Sequence, residues 1–356
     1  MKYYKRTAFL LIAVVFFLGK CLVWLNLQPR QGDIAKVTKG NISHIEYPVQ
    51  KLPSSIKHGV NVKLTYLLEN PVLCTSVVDL SVLVIVHSAP THQERRQTMR
   101  ETWTNNSYYH NVGTVRVLFL LGAVKKMSLQ ANIENEFDKH ADILQGDFID
   151  DYHNLTYKGV MAYKWLSEKC RNAKIILKVD DDVIVNMFYF LSKYMPSFVT
   201  KKKYMSCRRF HKNKIMRTRR SKWYVMESFF SNQTAYPDYC QGFVVIITND
   251  LVPALYKSAT ETPFFWVDDV YLYGLVPRNV SGIQYKHLRY GKDVVFGVET
   301  STNCYRVKKE KCPFLVMLFR ANVTSTMKEV WGLIVENNRN ISKATEKNES
   351  NHALRR

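Results

Sequence analysis

Three short apolar runs, each stopped by turn residues, limit this chain to very few architectures. Residues 81–90 read SVLVIVHSAP, 115–122 read VRVLFLLG and 174–179 read KIILKV. Runs this short with no polar alternation are buried on both faces, which is how central strands of a parallel sheet read. Between the last two, residues 155–170 place Val160, Trp165 and Leu166 where a helix can turn them toward a sheet. Strands alternating with helices imply an α/β sandwich with a mainly parallel central sheet. A chain of 356 residues, 46% apolar, can bury one large core, and Trp103, Phe119 and Trp165 are assigned to it. That composition excludes a disordered chain or a low-complexity scaffold, and no internal repeat is visible.

The amino terminus points to a membrane anchor. Residues 1–6, MKYYKR, carry three basic side chains, and residues 7–27 are apolar apart from Lys20 and the ends. A span needs about 20 predominantly apolar residues, and a lysine near a helix end snorkels to the interface. Positive charge ahead of the span leaves 1–6 in the cytosol and the rest across the membrane, a single-pass type II topology. A cleaved signal peptide is the rival reading, but its apolar core is shorter and no small-x-small cleavage site follows Leu18. Residues 28–77 show no sustained period and read as a lumenal stem, 78–335 as the catalytic domain and 336–356 as a polar, loose tail. Eight Asn-x-Ser/Thr sites agree with that topology, at Asn41, Asn105, Asn154, Asn232, Asn279, Asn322, Asn340 and Asn348. So do Cys74, Cys170, Cys207, Cys240, Cys304 and Cys312, which allow many pairings in an oxidising compartment. No CxxC and no zinc-finger spacing is present.

Lys and Arg number 51 against 30 Asp and Glu, a net charge of +21, so an anionic partner is expected. Nucleic acid, anionic lipid, a polyanionic glycan and a diphosphate-bearing substrate all fit the charge; the topology excludes nucleic acid. Asp180, Asp181 and Asp182 follow the third apolar run directly, where open α/β sheets bind ligands. Three adjacent carboxylates repel, and a divalent cation with hard oxygen ligands, Mn²⁺ or Mg²⁺, offsets that cost. Strand alternation puts Asp180 and Asp182 on one face and Asp181 on the other. The competing reading is a solvated acidic turn. Arg95, Arg96 and Arg100 follow the first run, where a nucleotide should lie, although a solvated basic helix face reads the same way. Residues 201–222 carry eleven Lys/Arg and no acid, a loop beside a cleft or a solvated surface.

Six motifs in order extend this reading. RRQTMRETW (95–103), FLLG (119–122), GDFIDDYHNLTYK (146–158), KVDDDVIVN (178–186), YPDYCQG (236–242) and VDDVYLYG (267–274) run through the expected domain. With them the chain, from about Leu80 to Trp331, resembles the β1,3-galactosyltransferase and β1,3-N-acetylglucosaminyltransferase group, glycosyltransferase family 31. The resemblance implies a GT-A-like nucleotide-sugar-binding fold, a UDP-sugar donor, Mn²⁺ and inversion at the anomeric carbon. It implies that Asp182 is the direct metal ligand, with Asp180 and Asp181 beside the bound donor. It makes Asp269 the base that deprotonates the acceptor hydroxyl, with Asp268 standing where the family usually has Glu. It further implies a Golgi membrane enzyme that moves galactose, or another hexose or N-acetylhexosamine, from UDP to a glycoprotein or glycolipid glycan. One departure stands out. About eleven residues before Trp331, where relatives carry a metal-binding His, this chain has Arg320, which has no lone pair for a metal. Weaker Mn²⁺ dependence, or a catalytically silent glycan-binding or folding-assistance relative, follows from that change.

Overall fold

Residues Val82–His87 are apolar at five of six positions and buried at all six, so this strand forms only where both sheet faces are covered. The computed structural model describes residues 65–353. Its first half runs β1 (Tyr66–Leu68), β2 (Val82–His87), α1 (Gln93–Glu101), β3 (Val115–Ala123), α2 (Met127–His140), β4 (Ile143–Ile149), α3 (Leu155–Lys169) and β5 (Ile175–Asp180). Then come β6 (Val183–Val185), β7 (Tyr204–Phe210), β8 (Tyr239–Thr248), α4 (Val252–Glu261), β9 (Gln284–His287), β10 (Val294–Phe296), α5 (Val298–Val307), β11 (Val316–Leu318) and α6 (Val323–Ala353).

The main sheet has eight strands in the order β1-β4-β3-β2-β5-β8-β7-β9. The three expected strands are β2, β3 and β5, and with β4 they are mutually parallel. β1 and β8 join antiparallel, as does β7 to β8. The sheet is therefore mixed rather than mainly parallel. From β2 the chain steps outward through β3 to β4, then returns across α3 to β5 on the other side of β2. Right-handed crossovers place α3 on the face opposite α1 and α2. That reversal opens a crevice between the carboxyl ends of β2 and β5, where His87 pairs in register with Asp180. Trp103, Phe119 and Trp165 are fully buried, and Val160 and Leu166 turn inward from α3 as expected. A second sheet, β10-β11-β6, lies directly after the aspartates, and α6 packs against α1 and α5.

The domain boundaries differ from those read in sequence. The expected tail 1–6, span 7–27 and stem up to residue 64 lie outside the described residues. Among the described residues no helix is long and apolar enough to cross a membrane. The folded domain starts before residue 78, because β1 pairs with β4 and Cys74 is bonded to Cys170. At the other end α6 continues to Ala353 through the segment expected to be loose. No Gly or Pro follows Gly332 there, and Glu, Lys and Ala favour helix. Cys207–Cys240 ties β7 to β8, and Cys304–Cys312 closes the end of α5.

Candidate active site

The three aspartates at the end of β5 go three ways. Asp181 turns back under the β2–α1 loop, where its carboxylate accepts from Ser88 Oγ (2.7 Å), His92 Nδ1 (2.8 Å) and Arg95 Nη1 (2.9 Å). These bonds outweigh the burial that opposes its charge, and its pKa falls below the ordinary carboxylate range. Asp180 faces the crevice and accepts from Lys178 Nζ at 2.7 Å. Asp182 Oδ1 is buried with no hydrogen-bond partner. Burial, then the charges of Asp180 and Asp181, push the Asp182 carboxyl up to about 6. An orphaned, electron-rich oxygen of this kind is what a hard cation relieves. Among the described residues no group of three or more His, Cys, Asp or Glu is arranged to hold a metal alone. The residues present therefore fit a cation bound through one protein carboxylate and completed by a ligand's phosphates.

Across the crevice, Asp268 and Asp269 open a helical segment, 268–278, which packs against α3 and β8. Both carboxyls are raised, Asp268 by burial and by Asp180, Asp269 by burial and by Asp268. Lys178 moderates both. This lysine is 1% exposed in the middle of an apolar strand, and its Nζ also donates to Gly242 O at 2.6 Å. Burial disfavours its charge, but Asp180, Asp268 and Asp269 together hold it above the ordinary lysine range. Gly242 completes the chain: its backbone amide donates to Asp269, and a Cβ there would overlap the Asp269 carboxylate. Lys178 was not singled out from sequence, although a lysine inside KIILKVDDD was the available signal. His87, 4.0 Å from Asp268, is held neutral by burial and by Lys178 and Lys158.

Arg95, Arg96 and Arg100 do not act together. Arg95 pairs with Asp181 at the edge of the crevice. Arg96 is fully buried, and its guanidinium makes five bonds, two to Glu136 and one each to Ser88 Oγ, Ala89 O and Pro90 O. Arg100 is engaged with Glu136 and Asp142 and stacks over Phe119. The helix periodicity was sound, but it turned Arg96 and Arg100 inward rather than toward the donor. Arg100 shares the Glu136 partner of Arg96, and Arg96 braces the loop that Arg95 and Asp181 hold. Lys158 braces it from the other side, with Nζ bonded to Ser88 O (2.8 Å) and Asp150 (2.9 Å).

Arg320, at the position where the family resemblance places a second metal ligand, lies just beyond β11. β11 pairs antiparallel with β6, Leu318 opposite Val183, and Phe319 N donates to Asp182 O at 3.0 Å. Arg320 follows directly, exposed, with no ion pair among the described residues. On the outer side of Asp268 and Asp269 lies an aromatic group. Trp223 Nε1 donates to Tyr152 OH at 2.7 Å, His153 sits 4.7 Å from Trp266, and Lys222 caps Trp223 at 4.5 Å. Tyr152 lies within the field of Asp268, Asp269 and Asp180, so this group borders the site. Tyr239 is buried against Phe210 and belongs to the core.

Fold and site define a class: an α/β domain with its ligand crevice at a sheet switch point and aspartates on both walls. Comparison with known proteins supplies the family. The galactosyltransferase family matches residues 94–289. Beta-1,3-galactosyltransferase 1 of Homo sapiens is 31% identical over 234 residues, covering 63% of this chain and 70% of that protein. Lactosylceramide 1,3-N-acetyl-beta-D-glucosaminyltransferase A of Xenopus laevis is 31% identical over 227 residues, 60% of this chain and 59% of that one. A solved glycosyltransferase involved in glycosylation of the PBCV-1 major capsid overlaps 70% of this chain and 98% of its own at 10% identity, with a TM-score of 0.34. The chain belongs to the galactosyltransferase family, in its β1,3-galactosyl and β1,3-N-acetylglucosaminyl group, as the six motifs implied. The six motifs lie on and around its mixed sheet and aspartate-lined crevice.

Proposed function

We propose that this chain is a Golgi β1,3-glycosyltransferase that moves galactose, or another hexose or N-acetylhexosamine, from UDP to a glycoprotein or glycolipid glycan with inversion. The observation that carries the reading is Asp269, a carboxyl raised by burial and by Asp268; it shares the neighbouring charge of Asp180 with the orphaned Asp182 oxygen. The acceptor hydroxyl oxygen bonds to the anomeric carbon as the bond to UDP breaks, and its proton passes to Asp269. The Gly242 backbone amide, on a residue whose carbonyl is held by Lys178, positions that carboxylate. Asp182 would hold Mn²⁺, with Asp180 beside the donor, and the cation would supply charge neutralisation on the departing UDP. Arg95, anchored by Asp181, edges the same crevice.

The three disulfides and the sequons support a secretory compartment, with the type II anchor at 7–27 as the means of retention. Arg320 beside Asp182 supports one departure, a weaker dependence on Mn²⁺. The test is a transfer and hydrolysis screen of UDP-hexoses against glycan acceptors, with and without Mn²⁺, on this chain and on Arg320→His. A β1,3-linked product is the expected outcome, with Arg320→His strengthening the Mn²⁺ response. UDP binding with neither hydrolysis nor transfer would replace the enzyme with a silent glycan-binding relative.

A further inference from the structure

The eleven cations of 201–222 do not form one patch. β7 runs antiparallel to β8 and begins opposite Ile247, so Lys201–203 lie at the end of the sheet away from the aspartates. There Lys201 and Lys202, with Arg171 and Lys174, line a cavity of about 620 Å³. Arg208 and Arg209 lie on β7 itself, and the other six cations lie on the excursion 211–238, which leaves β7 and enters β8 at the crevice end, beside Gly242. Its two carboxylates are taken: Asp238 by Arg209 and His211, Glu227 by Arg217. Arg217 also gathers four backbone carbonyls of the same excursion. Lys212, Lys214, Arg219, Arg220 and Lys222 are left exposed, with no carboxylate partner among the described residues.

Both branches of the excursion are tied to the site. Arg219 and Arg220 sit in the turn before Lys222 and Trp223, and Trp223 is bonded to Tyr152 beside Asp268 and Asp269. Lys212 and Lys214 flank Asn213, whose amide donates to Tyr239 OH at 2.6 Å, and Tyr239 lies in the field of Asp269. Five uncompensated cations repel one another and destabilise the bare surface unless an anion answers them. The donor diphosphate belongs to the β2 and β5 wall; this surface adjoins the base that receives the acceptor's proton.

Building on the proposed transfer reaction, we propose that the acceptor is an anionic glycan, carrying sulfate or carboxylate groups that Lys212, Lys214, Arg219 and Arg220 engage while the sugar lies on the Trp223 group. The experiment pairs one acceptor backbone in neutral, sulfated and sialylated forms, and measures direct binding to the full chain as well as transfer. The charged forms should bind about 10-fold tighter at low salt, as several surface charge pairs together permit, and lose that advantage as salt rises. Reversal of the four cations to Glu should abolish the preference, whereas Lys201→Glu/Lys202→Glu at the far end should keep it. The sulfated and sialylated arms decide which anion is read. Equal binding of all three forms, or a four-site reversal that weakens UDP instead of the charged glycan, overturns the proposal. Absence of transfer with the binding preference intact would count against the enzyme reading alone.

Discussion

Asp269 is held in a state that costs stability once it ionises. Burial and the neighbouring Asp268 charge raise its pKa, so the folded protein binds a proton there more tightly than the unfolded chain does. Stability from this group is therefore greatest below the unfolded carboxylate value of about 4 and falls as pH rises toward the raised folded value. Asp269→Asn cannot ionise, and its thermal midpoint should exceed the natural protein's at pH 8 and match it near pH 4. The same variant should keep UDP affinity and lose transfer by about 10²–10⁴-fold. A variant that transfers normally would move the base elsewhere. Since Asp268 is the charge that raises its neighbour, Asp268→Asn should shift the acid limb of the rate profile to lower pH. The middle aspartates divide differently. Asp182→Ala removes the orphaned oxygen and should abolish Mn²⁺-dependent UDP binding in calorimetry. Asp181→Ala should instead cost about 2 kcal/mol of stability, because Ser88, His92 and Arg95 lose their shared acceptor. Equal stability in the two variants would contradict that division.

At the level of elements, the parts visible in sequence are those whose period is uninterrupted. β2, β3 and β5 are short apolar runs, and the inward side chains of α3 recur at helical spacing. β7 reads YMSCRRF and β9 reads QYKH; both lie toward one edge of the sheet, where polar side chains are tolerated, so neither resembles a buried strand. Of the candidate site, Asp180, Asp182 and Asp269 were legible because strand ends and motifs marked them. Arg96 and Arg100 were misread because periodicity states which residues share a face, not which partner that face meets. Glu136, forty residues from Arg96, decided it. Gly242 shows the same limit, since its role is the close approach of β8 to segment 268–278. Gly242→Ala should leave the circular dichroism and disulfides intact while displacing the Asp269 carboxylate and removing most transfer. Full activity in that variant would mean the carboxylate can work from a different position.

For the whole molecule, the cysteines and the sequons both bear on the proposed secretory environment. All six cysteines of the described residues are paired, at Cα separations of 5.3, 5.6 and 5.5 Å, and the Cys74–Cys170 bridge closes a sequence separation of 96. A loop of that length is worth roughly 4–5 kcal/mol in the chain-entropy account, so the folded domain depends on oxidation. Glycan attachment gives an independent reading of the same environment, because the sequons differ in what surrounds them. Asn232 and Asn322 are exposed, both at left-handed turn positions, and their side chains have no hydrogen bond among the described residues. Asn154 donates to Ile149 O at 2.8 Å, and its Thr156 is buried with the hydroxyl bonded to Phe265 O at 2.8 Å. A glycan at Asn154 would also stand beside Tyr152 and His153, on the side proposed above for the acceptor. Glycopeptide mass spectrometry of the chain expressed through a secretory pathway should find sugar on Asn232 and Asn322 and none on Asn154. Bare Asn232 and Asn322 would count against passage through that compartment, and full occupancy of Asn154 in active protein would clear the Tyr152 surface of any part in acceptor binding.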